Sequence, residues 1–216
     1  MSNPPDHKNS GDGTPELAPE VGTRVDQILD EAALLFRDKG FSATSMSDLA
    51  RKVGISKPAL YHHFASKEEL FVAVATREPL AAARRMQALA ADKQRPASER
   101  LRLLLDCAYG NIVESLAGQM MPTIAETSAQ FPDIARCFRD GFIAAQQDAL
   151  ETILADGVAA GEFRDHSADY MVEMTFGPPI MLSITRAMYG HLPDTRPVDL
   201  AGAKRKHYAA LVRMLS

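Results

Sequence analysis

From Thr23 onward the apolar residues Val25, Ile28, Leu29, Ala32, Leu35 and Phe36 recur at three- and four-residue steps, which draws one continuous stripe along a helix. Thr23, with Asp26 three residues on, is placed to cap its start, and Gly40 to end it. A shorter pattern follows, with Ser45 as cap, Asp48 at the third position, Met46, Leu49, Ala50 and Val53 inward, and Gly54 as the stop. A third helix opens at Ser56 and carries Pro58 in its first turn, where a missing N–H breaks no helical bond; Leu60 and Phe64 turn inward. Ser66-Lys-Glu-Glu69 reads as a capping box in which Ser66 and Glu69 each satisfy the other's backbone amide, and Leu70, Phe71 and Val74 continue the apolar face.

Past residue 77 the chain turns alanine- and leucine-rich in long helical patterns, interrupted near Arg95-Pro96, Phe131-Pro132, Gly161 and Pro193. The spacing predicts helices at about 79–93, 97–117, 119–129, 133–160, 167–190 and 198–215. No segment alternates with period two for long enough to argue a strand, so the fold class is all-α. Residues 1–22, rich in proline and glycine with almost nothing to bury, read as a disordered tail. The organisation is then a three-helix helix-turn-helix domain at 23–76 and a helical domain at 77–216.

Composition changes this picture in one place. The 216-residue chain carries a formal charge of −4, which does not advertise nucleic-acid binding. Residues 24–67, however, hold seven Lys/Arg against five Asp/Glu, while the remainder holds 17 against 23, so a mildly basic N-terminal segment sits on an acidic chain. No apolar run approaches the roughly 20 residues of a membrane span, and no signal-peptide core is present, which makes a cytoplasmic location the simplest expectation. The two cysteines, Cys107 and Cys137, match no zinc motif, and no metal site or cofactor is expected. Gly-rich phosphate loops, a nucleophile elbow and metal-ligand spacings are missing, which argues against an enzyme; Asp165-His166 is a single dyad in a loop.

The third helix has an odd composition. "GISKPALYHHF" at 54–64 is too polar for a core helix and too aromatic for a plain surface one. A recognition helix entering the major groove must stay solvated when free yet offer donors and flat rings when bound, and Lys57, Tyr61 and His62 do that. His63, diverging from His62 by about 100° on a helix, reads as a packing or intradomain hydrogen-bonding residue.

On these residues the segment 24–74 resembles the DNA-binding domain of the tetracycline-repressor (TetR/AcrR-like) family. The matching elements are Phe36, Gly40 and Phe41, then Ala43-Thr44-Ser45 with Leu49-Ala50, Gly54-Ile-Ser56-Lys57, Leu60-Tyr61-His-His-Phe64 and Ser66-Lys67-Glu68-Glu69-Leu70. The remaining residues match in length and helicity, with "FPDIARCFRD" and "GEF" similar to one subgroup. The resemblance implies a homodimeric transcription regulator, usually a repressor released from its operator by a small ligand, with residues 77–216 as regulatory and dimerisation domain. It implies phosphate contacts at Thr44, Ser45, Tyr61 and Lys67, and groove or base-edge contacts at Ser56, Lys57, Pro58, Ala59 and His62. Members often carry glycine where this chain has Pro58, so the contact there would be apolar, as to a thymine methyl.

The second domain offers polarizable, adaptable side chains for a lipophilic or aromatic ligand: Cys107, Tyr109, Met120, Met121, Phe138, Phe142, Met174, Phe176 and Met181, with core packing as the competing reading for each. Pro178-Pro179 inside the helix at 167–190 should leave carbonyls unpaired, kink the helix and supply acceptors to a pocket. Gln119, Thr123, Glu126 and Arg186 are candidate ligand-orienting groups against a default of solvated surface. The last two helices are, by resemblance, the dimer-forming pair, with Ile184, Met188, Leu200, Tyr208, Leu211, Val212 and Leu215 at the interface or packed internally. The alternatives are an activator and a thiol redox-sensing regulator through Cys107 and Cys137.

Overall fold

The structure, a computed structural model, describes residues 23–165, 168–194 and 197–216; the expected tail and His166 lie outside them. The described residues form α1 (Arg24–Ala43), α2 (Met46–Val53), α3 (Lys57–His63), α4 (Lys67–Ala91), α5 (Ala97–Tyr109), α6 (Leu116–Gln119), α7 (Met121–Thr127), α8 (Pro132–Arg136), α9 (Ala144–Ala159), α10 (Ala168–Tyr189) and α11 (Leu200–Leu215). Two wider, π-helical segments, Gly110–Glu114 and Cys137–Ile143, join α5 to α6 and α8 to α9. No strand occurs among the described residues.

The caps fall where the side chains put them. Thr23 and Asp26 bond each other's backbone at the start of α1, and the helix breaks at Gly40, whose φ of 77° and ψ of 172° are non-helical. Val25, predicted to face inward, is exposed, while Ile28, Leu29, Ala32 and Phe36 are buried. At α4 the predicted box is displaced by one residue: Ser66 accepts from Glu69 N–H, but the Glu69 carboxylate takes the N–H of Ala65 at 2.7 Å. The α5 start has a remote cap. Its N-cap, Pro96, has no side-chain acceptor, and Glu162 from beyond α9 accepts from the N–H groups of Ala97 and Ser98 at 2.8 and 3.0 Å.

Four predicted boundaries need correction. The stretch 79–93 is no separate helix, because α4 runs unbroken through the buried Pro79, spanning about 37 Å at 1.5 Å per residue. The helix expected at 97–117 turns π-helical after Tyr109 and stops at Ser115, whose hydroxyl donates to Asn111 O and accepts from Gly118 N–H. Any side chain at Gly118 would strike the Ile112 carbonyl 2.3 Å away, so the chain folds back on itself there. The stretch 119–129 divides into α6 and α7 around Met120. The stretch 133–160 divides into α8, the second π-helical segment and α9, with Gly141 set against Leu80 of α4.

Two large cores result. One gathers α5, α9, α10, α11 and the end of α4 around Leu101, Leu104, Tyr109, Leu150 and Ile153. The other holds α1–α3 and the start of α4, and it also takes in Met120, Ile124 and Ile134. Its aromatic centre is Phe41, whose ring lies 4.9 Å from Phe71, 6.0 Å from Phe36 and 5.0 Å from Phe131.

At α10 the helix neither breaks nor restarts at Pro178-Pro179. Pro178 has no N–H to give to Met174 O four residues back, and His207 Nε2 of α11 takes that carbonyl at 2.8 Å instead. A carbonyl can only accept, so Nε2 carries the proton, and in the neutral ring Nδ1 accepts from Tyr109 O–H of α5 at 3.2 Å. The acceptor expected to serve a ligand is therefore used by the protein. Burial lowers the His207 imidazole below its ordinary 6.5, opposed by the bond to Met174 O.

Two outcomes follow from these junctions. Phe131 is half-buried on α4, so Phe131→Ala should cost about 1–3 kcal/mol, with amide exchange rising in α1 and the first half of α4 rather than in α5. His207 has a depressed folded-state value, so its contribution is complete above pH 6.5 and is lost as pH falls through the folded value. Stability against urea should fall across that acid range more steeply in the wild-type chain than in His207→Gln, which keeps a donor and an acceptor but cannot titrate.

Candidate nucleic-acid interface

The turn between α2 and α3 is set by one residue. Gly54 adopts φ 72°, ψ 38°, the left-handed region, and this lets Ile55 N–H reach Ala50 O at 2.9 Å and Gly54 N–H reach Arg51 O at 3.3 Å. That pairing closes α2 and redirects the chain into α3. Ser56 then accepts from Ala59 N–H at 3.2 Å and keeps its own hydroxyl proton free to donate. Leu60 and Phe64 are buried, anchoring α3 to α1 and α2, and Arg24 ties the end of α2 to α1 through Val53 O at 3.3 Å.

The opposite face of α3 stands in solvent. Ser56, Lys57, Pro58, Tyr61 and His62 are exposed, Ala59 is half-buried, and Tyr61 keeps 44% of its surface. Lys57 Nζ lies 5.9 Å from the Tyr61 ring centroid and has no carboxylate partner among the described residues. By contrast Arg37, Arg51 and Lys52 are paired with Asp38, Asp48 and Glu31. His63 corrects its predicted role. It is exposed rather than packed, its ring meeting that of His62 at 5.7 Å.

Three predicted phosphate contacts are differently placed. Ser45 is exposed at the α2 N-terminus, where it accepts from Asp48 N–H and donates to the Asp48 carboxylate at 2.7 Å, a bond that holds Asp48 below the usual carboxylate range. Lys67 is half-buried, donating to Phe41 O at 3.0 Å with its charge 4.1 Å from the Phe41 ring centroid. Two of its three donors stay open. Thr44 is 1% exposed, and its hydroxyl donates to Gly40 O at 2.8 Å while its N–H goes to Phe41 O. Both of its donors are spent on the α1–α2 corner, leaving nothing for a phosphate in this conformation.

The predicted ligand residues do not converge. Met120 is buried in the N-terminal core. Phe142 is buried against Ala82, Ala83 and Ala145, with Phe138 at its edge, while Phe176 and Tyr109 are buried in the other core. Met174 packs on that core, Met121 and Thr123 are half-buried, and Pro178 and Met181 are exposed. Gln119, Glu126 and Arg186 are exposed as well. Cys107 alone of this set lines a sizeable cleft, about 630 Å³ between α4 and α5, which also touches Arg85, Leu89 and Asn111. Sequence reasoning missed Arg85 and Asn111, since neither belongs to an apolar or motif pattern.

Of the predicted interface residues, Ile184 and Met188 are exposed on α10. Leu211 and Leu215 are buried in the chain's own core, and the half-buried Tyr208 donates to Ser98 O at 3.0 Å. Leu200 packs on the same core, and Val212 is half-buried. Ile180, Tyr189 and Leu192, which the sequence pattern did not single out, are also exposed along α10 and its end. No helix of the described residues is long and apolar enough to cross a membrane.

With that geometry in view, the comparisons with known proteins agree on the N-terminal unit. Residues 28–74 match the model for bacterial regulatory proteins of the tetR family. The chain is 44% identical over 54 residues to the transcriptional repressor KstR2 of Mycobacterium tuberculosis, covering 25% of this chain and 27% of that protein. It is 46% identical over 54 residues to the transcriptional activator FasR of Mycolicibacterium smegmatis, covering 25% of each. The match spans about a quarter of the length of these curated relatives. The fold extends further: the tetR-family regulator PfmR of Thermus thermophilus superposes with a TM-score of 0.59 at 28% identity, over 88% of this chain and 98% of that one. The helix-turn-helix unit is thus similar, over residues 28–74, to the N-terminal domain of the tetR family of bacterial regulatory proteins.

Since Gly54 alone supplies the left-handed turn, Gly54→Ala should cost about 1–2 kcal/mol in urea denaturation. The loss should exceed that of Gly177→Ala, where a Cβ meets nothing and φ is not positive.

Proposed function

We propose that the chain is a homodimeric, ligand-controlled transcriptional regulator of cytoplasmic operator DNA, acting as a repressor. The observation that carries this reading is the exposed face of α3, where Ser56, Lys57, Tyr61 and His62 point away from a buried anchor. Lys57 supplies a free charge, Ser56 a free hydroxyl, and Pro58 an apolar edge for a thymine methyl. Ser45, Tyr61 and Lys67 fit phosphate positioning; Thr44 fits a structural role at the corner.

Dimerisation rests on the stripe of Met181, Ile184 and Met188, at spacings of three and four on one face of α10, with Met181 keeping 64% of its surface. A two-fold dimer would set its recognition helices about 35 Å apart, one turn of B-DNA, and would want a near-palindromic operator. The effector is an apolar or aromatic molecule held by residues 77–216. Control runs through α4, which begins in the helix-turn-helix core and continues along the helical body, and through Phe131 seated against Phe41 and Phe71. The effector must favour one state by several kcal/mol to move occupancy decisively. A thiol switch is the weaker reading, because burial pushes the Cys137 thiol up from its ordinary value while reactive thiols are lowered.

Fluorescence anisotropy with the DNA upstream of the chain's own gene, against a scrambled duplex, tests the proposal. Selective binding should weaken steeply with salt, and Lys57→Gln should reduce the salt slope by about one. Equal binding of both duplexes by wild type and variant at all salt concentrations would remove the reading.

A further inference from the structure

The α4–α5 cleft of about 630 Å³ falls within the general range of small-molecule sites, and its lining is not that of a plain surface groove. Ala88 and Leu89 of α4 with Leu103 and Cys107 of α5 give it an apolar floor. At one end lies Asn111, 6% exposed, whose Oδ1 is buried without a hydrogen-bond partner. A buried amide oxygen left unpaired is uncommon, and rotation of the Asn111 side chain toward the cleft it lines would let a ligand supply the missing donor. Asn111 sits in the π-helical segment Gly110–Glu114, a wide turn of the kind often found at functional sites.

The charges give the cleft a direction. Asp92 and Arg95 pair with each other at 2.8 Å, and Arg95 pairs with Glu99, so the Arg95 charge is already matched and that end offers nothing to an anion. Arg85, also lining the cleft, is exposed and has no ion pair among the described residues. A ligand suited to this wall has an apolar body, a hydrogen-bond donor for Asn111 Oδ1 and an anionic group for Arg85.

The geometry points to a binding site for an amphipathic anion, a carboxylate bearing a hydroxyl on an apolar frame, in the cleft between α4 and α5. The assignment deepens the reading of a ligand-controlled regulator and rests on it only for the effect on DNA. Occupation would press on α4 beyond the point where that helix leaves the helix-turn-helix core.

Cys107 makes the site testable without DNA, because it lines the cleft and Cys137 does not. Alkylation of both thiols by N-ethylmaleimide is followed by peptide mass spectrometry, with ω-hydroxydodecanoate as the probe below its micelle concentration. The probe should slow Cys107 saturably and leave Cys137 unchanged. Arg85→Gln, at an exposed position, should raise the half-protecting concentration about tenfold, equivalent to 1.4 kcal/mol. The neutral dodecanediol should protect weakly and equally in both proteins, and dodecanoate should protect less well than the hydroxy acid. Calorimetry of the same titrations gives a second readout that does not depend on thiol reactivity. No heat and no protection, equal slowing of both cysteines, or an unchanged response in Arg85→Gln would each overturn the site. Protection without loss of operator binding would uphold the site and remove only its role as the effector pocket. Failure of all DNA binding would count against the proposed function and leave the protection result standing.

Discussion

The ring of Phe41 is the contact on which the arrangement of the two halves depends. It comes just after the break at Gly40 and meets Phe36 from its own helix, Phe71 from α4 and Phe131 from the segment before α8. Lys67 lies over the same ring and bonds the same residue's carbonyl. One side chain therefore touches the end of the first helix, the start of the long helix and the segment before α8, with the half-buried Lys67 beside it. Aromatic pairs of this geometry contribute about 0.5–1.5 kcal/mol each beyond burial, and here they share one residue. Moving Phe131 cannot leave the other contacts unchanged, because the core around them is close-packed.

The N-terminal half was legible in detail because its rules are local. Capping residues, the glycine stop at 54 and four-residue apolar spacing all act within one turn of chain, and the exposed and buried faces of α3 fall as the pattern requires. The misreadings there are also local, but they turn on backbone geometry that residue type does not reveal. Thr44 looks like a cap and a phosphate ligand in sequence, but the bend at Gly40 offers its hydroxyl a carbonyl first. Glu69 reaches Ala65 rather than Ser66 because the incoming chain presents a different amide.

In the second half the helices were legible and their joints were not. Wide turns at 110–114 and 137–143 have no composition rule, and Pro79 passes through α4 without ending it. The unpaired carbonyl expected from Pro178 was correctly inferred from covalent chemistry, yet its partner, His207, comes from another helix and could not be read from spacing. The methionines and phenylalanines chosen for a pocket went mostly into two cores, since apolar volume alone does not distinguish lining from filling. What marks the α4–α5 cleft is a polar atom left over after packing, a property that exists only once the fold is assembled.

The shared N-terminal core has a consequence for how such a chain can be recombined. Met120, Ile124 and Ile134 are as much a part of that core as Leu49 or Leu60. A chimera joined within α4, grafting residues up to the middle of that helix onto another protein's helical body, would leave behind the side chains that complete the donor's own interior. The portable cassette is discontinuous: the first helices together with the stretch from Leu116 to Phe138. Exchange of a simple N-terminal block would therefore succeed only in recipients that already carry matching apolar residues in that distant stretch.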